Sequence, residues 1–223
     1  IEFGNDVAYA NNYGYYLYED FEDYSVGDNA TRFIDYNDTD EQTQAYEVRS
    51  SAGNNHYYVN ASGDGEMFSI YNATNKSEMK DYQITGRMKT LSASSTKHGS
   101  GILFYTTSSQ ESYVIYHQND SGTNSYYLND YGGYDTFTIA KRYSGVHPSL
   151  GTWYNFTIRV QSNPTNTTIQ ARFWNETSTE PAGWQIEGDS YFGGAYKSNG
   201  TIGLWAWNAE VIYDDIIVQD FTT

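Results

Sequence analysis

The chain has 223 residues, 28 of them acidic against 12 basic, giving a formal net charge of −16, and it contains no cysteine. That charge opposes binding to DNA, RNA or anionic membranes, and no apolar run approaches the ~20 residues of a membrane-spanning helix. Tyrosine dominates the apolar set, with 24 Tyr beside 10 Phe and 5 Trp, and aromatic residues favour strands.

In chain order, residues 1 to 14 precede the first strand signal and read as an N-terminal arm or extra strand. Residues 15 to 223 read as one domain. Within the arm, "VAYA" (Val7 to Ala10) has the small alternating character of a strand that could be added to a neighbouring subunit. Strand segments follow: "YLYEDF", "HYYVN", "MFSIYN", "YQITGRMKT", "GILFYTT", "SYVIYHQ", "SYYLND" and "DTFTIAKRY". "SGDGE" (Ser62 to Glu66) reads as a turn with a loose likeness to a calcium loop, without the full spacing. In "WYNFTIRVQ", Tyr154, Phe156, Ile158 and Val160 alternate with Asn155, Thr157 and Arg159. "TIQARFW" then alternates Ile169, Ala171 and Phe173 inward, with "SNPTNT" as the turn of a hairpin. "TIGLWAW" and "VIYDDIIVQDF" close the chain. Short strands separated by Gly, Ser, Asn and Asp predict an all-β fold, a two-sheet antiparallel β-sandwich of jelly-roll type.

Ten of the nineteen asparagines open an Asn-X-Ser/Thr tripeptide: Asn29, Asn37, Asn60, Asn72, Asn75, Asn119, Asn155, Asn166, Asn175 and Asn199. Chance would give roughly three or four. The excess predicts a secreted, N-glycosylated chain. The lack of cysteine sets it apart from disulfide-stapled secreted domains and points to an archaeal cell-surface protein.

Four segments in order carry a family likeness. They are "YEDFEDYSVGD" (Tyr18 to Asp28), "GSGILFYTTSSQESYVIYHQ", "GTWYNFTIRVQSNPTNTTIQARFW" and "GTIGLWAWNAEVIYDDIIVQDF". Together they resemble the concanavalin A-like lectin/glucanase superfamily, in particular its laminin G-like jelly rolls. The resemblance implies two stacked sheets, one with a concave face, and first and last strands side by side. It leaves activity open, because the fold hosts lectins, lyases, hydrolases and structural modules. In some members a structural Ca²⁺ sits at that strand pair. Here Asp20 and Glu22 on the first strand and Asp214 and Asp215 on the last are the candidate ligands, since clustered carboxylates suit a hard cation. The competing reading is a solvated acidic edge strand.

Catalysis has little support in these residues. The family's Glu-x-Asp-x-x-Glu glucanase strand is absent, "YHQ" and "YFGGAYKSNG" echo a lyase pattern without its Arg-bearing strand, and His56, His98, His117 and His147 show no metal-ligand spacing. His117 is the candidate base if one exists. Trp205 and Trp207, two apart on one strand, and Trp184 beside Gly183 are candidate sugar-stacking residues; the alternative for the first two is packing between the sheets. The composition therefore supports a non-catalytic, glycosylated extracellular protein that self-assembles through its arm into a cell-surface filament, sheath or layer. A carbohydrate-binding, lectin-like module that takes up polysaccharide is the alternative, and a polysaccharide lyase or glycoside hydrolase comes third.

Overall fold

The computed structural model describes residues 14–37, 46–63, 65–108, 111–120, 122–132, 137–189 and 197–221. Two antiparallel sheets stack on one core, as the sequence predicts. The larger sheet runs β13 (Ile186–Asp189), β12 (Thr167–Asn175), β11 (Tyr154–Ser162), β6 (Tyr82–Ala93), β15 (Ala209–Asp220), β4 (Asn54–Asn60) and β3 (Tyr46–Ser51), with β1 (Tyr15–Glu19) also paired to β15. The smaller sheet runs β10 (Phe137–Tyr143), β9 (Thr123–Gly132), β8 (Glu111–Asp120), β7 (Lys97–Ser108), β14 (Thr201–Trp207), β5 (Glu66–Tyr71) and β2 (Phe33–Asn37). The N-terminal arm lies outside the described residues, except for Gly14.

The β11–β12 hairpin shows why the pattern folds this way. Tyr154, Phe156, Ile158 and Val160 are buried and face Ile169, Ala171 and Phe173, while Asn155 and Arg159 point outward. The turn closes where the Asn163 N–H donates to the Asn166 carbonyl at 2.8 Å. Three strands escaped the sequence reading. In β2, inward-facing Asp35 breaks the apolar alternation; β3 and the short β13, "IEGD", lie at the edges of the larger sheet.

β1 and β15 are neighbours, as the family resemblance implies. β15 has β4 along Glu210–Tyr213 and β1 along Ile216–Gln219 on the same side, with a bulge between the two stretches. Asp215 takes a positive φ of 53° at that bulge. The acids expected on the first strand do not lie on it. β1 ends at Glu19, and Phe21 turns the chain with φ of 59°. Phe21 then drops into the core, stacked on Tyr57 at 5.4 Å, and Asp20, Glu22 and Asp23 are left in the turn.

Four tyrosines on the inner face of the larger sheet reach across the core to the smaller one. The Tyr213 hydroxyl enters the β7–β14 ladder, 2.5 Å from the Trp205 carbonyl and 3.2 Å from that of Gly101, and it accepts the Gly101 N–H at 3.4 Å. Tyr82 accepts the Tyr105 N–H at 2.9 Å and donates to the Gly200 carbonyl at 3.1 Å. Tyr46 bonds the Tyr36 carbonyl and, at 3.1 Å, that of Phe68. Tyr57 meets buried Asp35 at 2.8 Å, where Ser69 donates at 2.6 Å and the Asn29 amide at 2.5 Å. Burial pushes the Asp35 carboxyl upward in pKa, and these donors pull it back.

Tyr213→Phe keeps the ring and strips the hydroxyl from this ladder, leaving buried carbonyls short of a donor. Urea unfolding should show a loss of about 1–2 kcal/mol. An unchanged midpoint would show that the hydroxyl ties nothing.

Candidate functional site

The smaller sheet has apolar side chains on both faces, so its outer face needs an explanation. Strand register aligns Tyr36, Phe68, Trp205, Gly101, Tyr116, Tyr127 and Arg142 in one row across all seven strands. The next row toward the β14–β15 turn reads Glu66, Trp207, Gly99, Gln118 and Ser125. One face thus carries an aromatic stripe with a polar row beside it.

Glycine shapes the middle of that stripe. A Cβ on Gly101 would lie 2.5 Å from Tyr116 Cβ, and one on Gly99 would lie 2.8 Å from the Trp205 indole. The indole therefore lies over bare backbone, and Tyr116 meets it edge-on at 5.0 Å. Tyr116 stacks on Tyr127 at 5.5 Å, and the Arg142 guanidinium sits 5.6 Å over Tyr127 while donating to the Ser125 hydroxyl at 2.8 Å.

The face is concave. Phe68 on β5 and Tyr131 on β9 are separated by three intervening strands, about 19 Å at the usual strand spacing. Their rings nonetheless approach to 5.6 Å, and the Tyr131 hydroxyl donates to Glu66 Oε2 at 2.9 Å. Only a sheet curled and twisted around its outer face brings them together. Phe68 and Trp205 form the buried floor, at 0% and 2% exposure, and Tyr36 and Trp207 remain half-buried at the rim. The Trp205 indole N–H and the Asn129 side-chain carbonyl are buried on this side with no hydrogen-bond partner among the described residues.

The tryptophans singled out from the sequence part company. Trp205 and Trp207 both face outward on the curled sheet, so neither packs between the sheets. Trp184 lies against the larger sheet, under the Arg172 guanidinium at 4.1 Å. The residues that sequence reading missed are Phe68, Tyr116 and Tyr127. Their signal was present: "MFSIY" around Phe68, "YVIYH" around Tyr116 and "SYYL" around Tyr127 are nearly unbroken apolar runs, the mark of strands covered on both faces.

The carboxylates proposed as Ca²⁺ ligands have protein partners. Arg87 bonds Asp214 at 2.5 Å and Asp215 at 3.0 Å, and the Asn54 amide donates to Asp214 at 2.6 Å. Asp20 accepts the Glu22 N–H at 3.2 Å, and Glu22 accepts that of Asn55 at 2.7 Å. The guanidinium takes the place between Asp214 and Asp215 that a cation would need, so these residues as arranged do not fit a Ca²⁺ site. Among the described residues no three His, Asp or Glu side chains come together as metal ligands. Asp64 of the "SGDGE" turn lies outside the described residues.

His117 faces the core side of β8, 6.3 Å from the His98 ring, beside a cavity of about 10 Å³ lined by Thr90, Ser100, Tyr126 and Tyr154. That space is about the size of one water molecule. The ring is 2% exposed, so it makes no approach to the concave face.

No protein-family model matches the sequence, and neither does any curated protein. Solved structures do share the fold. The carbohydrate-binding module CBM66 from Bacillus subtilis is similar with a TM-score of 0.53 and 10% identity, over 77% of this chain and 90% of that one. The carbohydrate recognition domain of Emp46p is similar with a TM-score of 0.54 and 10% identity, over 85% of this chain and 88% of that one. These likenesses support the two-sheet jelly-roll architecture.

Burial lowers the His117 pKa from 6.5 to about 4, aided by the nearby His98 charge and opposed in part by Asn124. The unfolded chain takes up this proton first as pH falls. His117 therefore removes stability progressively below about pH 6.5, to a limit of about 3 kcal/mol near pH 4. Denaturant titrations of wild type and His117→Gln across that window should show a steeper acid loss in the wild type. Parallel curves would place the titration elsewhere.

Proposed function

We propose that the protein is a carbohydrate-binding module that takes its ligand on the concave face of the seven-stranded sheet. The aromatic row from Tyr36 to Tyr127 carries this reading. Flat aromatic faces stack on the C–H faces of sugar rings, and adjacent hydrogen-bonding groups orient the hydroxyls. Trp207 and Tyr36 supply the partly open aromatic surface, and Glu66, Gln118 and Arg142 supply polar groups at the edge. The half-buried rim leaves a ligand room that the buried floor does not.

The acceptor tripeptides do not obstruct this assignment. Asn155 sits inside a strand of the larger sheet, facing away from the groove. The other described acceptors lie at strand ends or in turns, so sugars on them leave the middle of the concave face clear. The two structural neighbours, a carbohydrate-binding module and a carbohydrate recognition domain, favour this reading over a filament subunit. The filament reading draws on the acceptors and the composition, and the arm it uses for assembly lies almost wholly outside the described residues. A polysaccharide ligand also suits a secreted or surface location.

Affinity electrophoresis through a panel of soluble polysaccharides, followed by titration calorimetry, tests the assignment. Trp207→Ala should weaken binding by about tenfold, or about 1.4 kcal/mol. Trp184→Ala, on the other sheet, should leave affinity unchanged. Retardation by no polysaccharide, or equal losses in both variants, would sink the proposal.

A further inference from the structure

The ten Asn-X-Ser/Thr tripeptides look equivalent in sequence, and the fold makes them unequal. At Asn60 the amide oxygen accepts the Ser62 N–H at 3.0 Å and the Ser62 hydroxyl at 2.6 Å. Asn175 repeats this with Thr177, at 2.9 Å and 2.8 Å. In both, the hydroxyl of the tripeptide is held on its own asparagine. The amide nitrogen has no protein partner among the described residues, and the residue after each hydroxyl, Gly63 or Ser178, is exposed.

Three others are arranged against modification. The Asn29 amide nitrogen donates to buried Asp35 at 2.5 Å, and its oxygen accepts the Tyr57 hydroxyl at 2.7 Å. The Thr157 hydroxyl of the Asn155 tripeptide is buried and lies 3.4 Å from Glu180 Oε1. The Thr201 hydroxyl of the Asn199 tripeptide is fully buried and donates to the Tyr71 carbonyl at 3.0 Å.

We infer that the folded chain presents Asn60 and Asn175 as glycosylation sites and withholds Asn29, Asn155 and Asn199, with Asn29 serving as a structural residue instead. In the transfer, the C1–O bond of a sugar diphosphate donor breaks and a C1–Nδ2 bond forms. The diphosphate leaves with the bonding electrons, and one Nδ2 proton passes to a base of the transferring enzyme. β4 and β12 run in the same direction, four antiparallel steps apart, and both sites lie at their C-terminal ends. The two glycans would therefore leave the sheet at one end of the molecule.

The test exposes the full-length chain, folded and urea-unfolded, to an oligosaccharyltransferase with a lipid-linked oligosaccharide, and reads occupancy by peptide mass spectrometry. In the folded chain Asn29, Asn155 and Asn199 should fall below Asn60 and Asn175 by about tenfold or more, because each must wait on a local opening. In the unfolded chain the two groups should be modified alike. A folded pattern matching the unfolded one overturns the inference, as does a folded chain left bare at Asn60 and Asn175. Thermal melting gives an independent reading: Asn29→Gln, which opens the buried Asp35–Tyr57 cluster, should lower Tm more than Asn60→Gln, which frees only a local turn, and equal melting of the two would remove the structural role of Asn29. None of these outcomes depends on whether the concave face binds sugar.

Discussion

The sandwich depends on tyrosine hydroxyls that cross the core. Tyr46, Tyr57, Tyr82 and Tyr213 stand on one sheet and end on backbone or side-chain groups of the other. A hydroxyl at that depth is costly unless bonded, and each of these is bonded. The consequence is geometric as well as energetic. Apolar packing alone tolerates sliding between two sheets, whereas a hydroxyl seated in a strand ladder fixes the register of one sheet over the other.

These ties land under the candidate site. Tyr213 holds the backbones of Trp205 and Gly101, and Tyr46 holds those of Phe68 and Tyr36. These residues alternate inward backbone contacts with outward side chains, so the same strands carry the core tie on one side and the aromatic row on the other. The curl that brings Phe68 to Tyr131 is thereby supported from beneath. On the larger sheet a different device works at β15. There Arg87, Asp214 and Asn54 brace the bulge at which β4 gives way to β1. The acidic pair near the chain end has a structural occupation in this arrangement.

Much of the architecture was legible because strand alternation reports burial directly. Tyr154, Phe156, Ile158 and Val160 are inward for the reason their spacing suggests. The concave face was less legible. Alternation separates one buried face from one wet face; where both faces are covered, as in "GILFY" and "YVIYH", it gives way to an apolar run that does not say which side chains face the core and which the outer groove. Trp205 and Trp207 were placed on a common side correctly, but only strand order decides which side of which sheet. Asp35 shows a further limit. A carboxylate in a strand reads as solvent-facing until Tyr57, Ser69 and Asn29, distant in sequence, are seen to close around it.

The cross-core hydroxyls also bear on how such a chain can be produced. A domain stapled by disulfides completes its fold only where thiols are oxidised, and pairing errors have to be reshuffled. This chain has no cysteine, and its inter-sheet links form and break with the fold itself. Folding of these 223 residues needs no oxidant and no isomerase for disulfides, and their native state is held by links that a reductant does not touch.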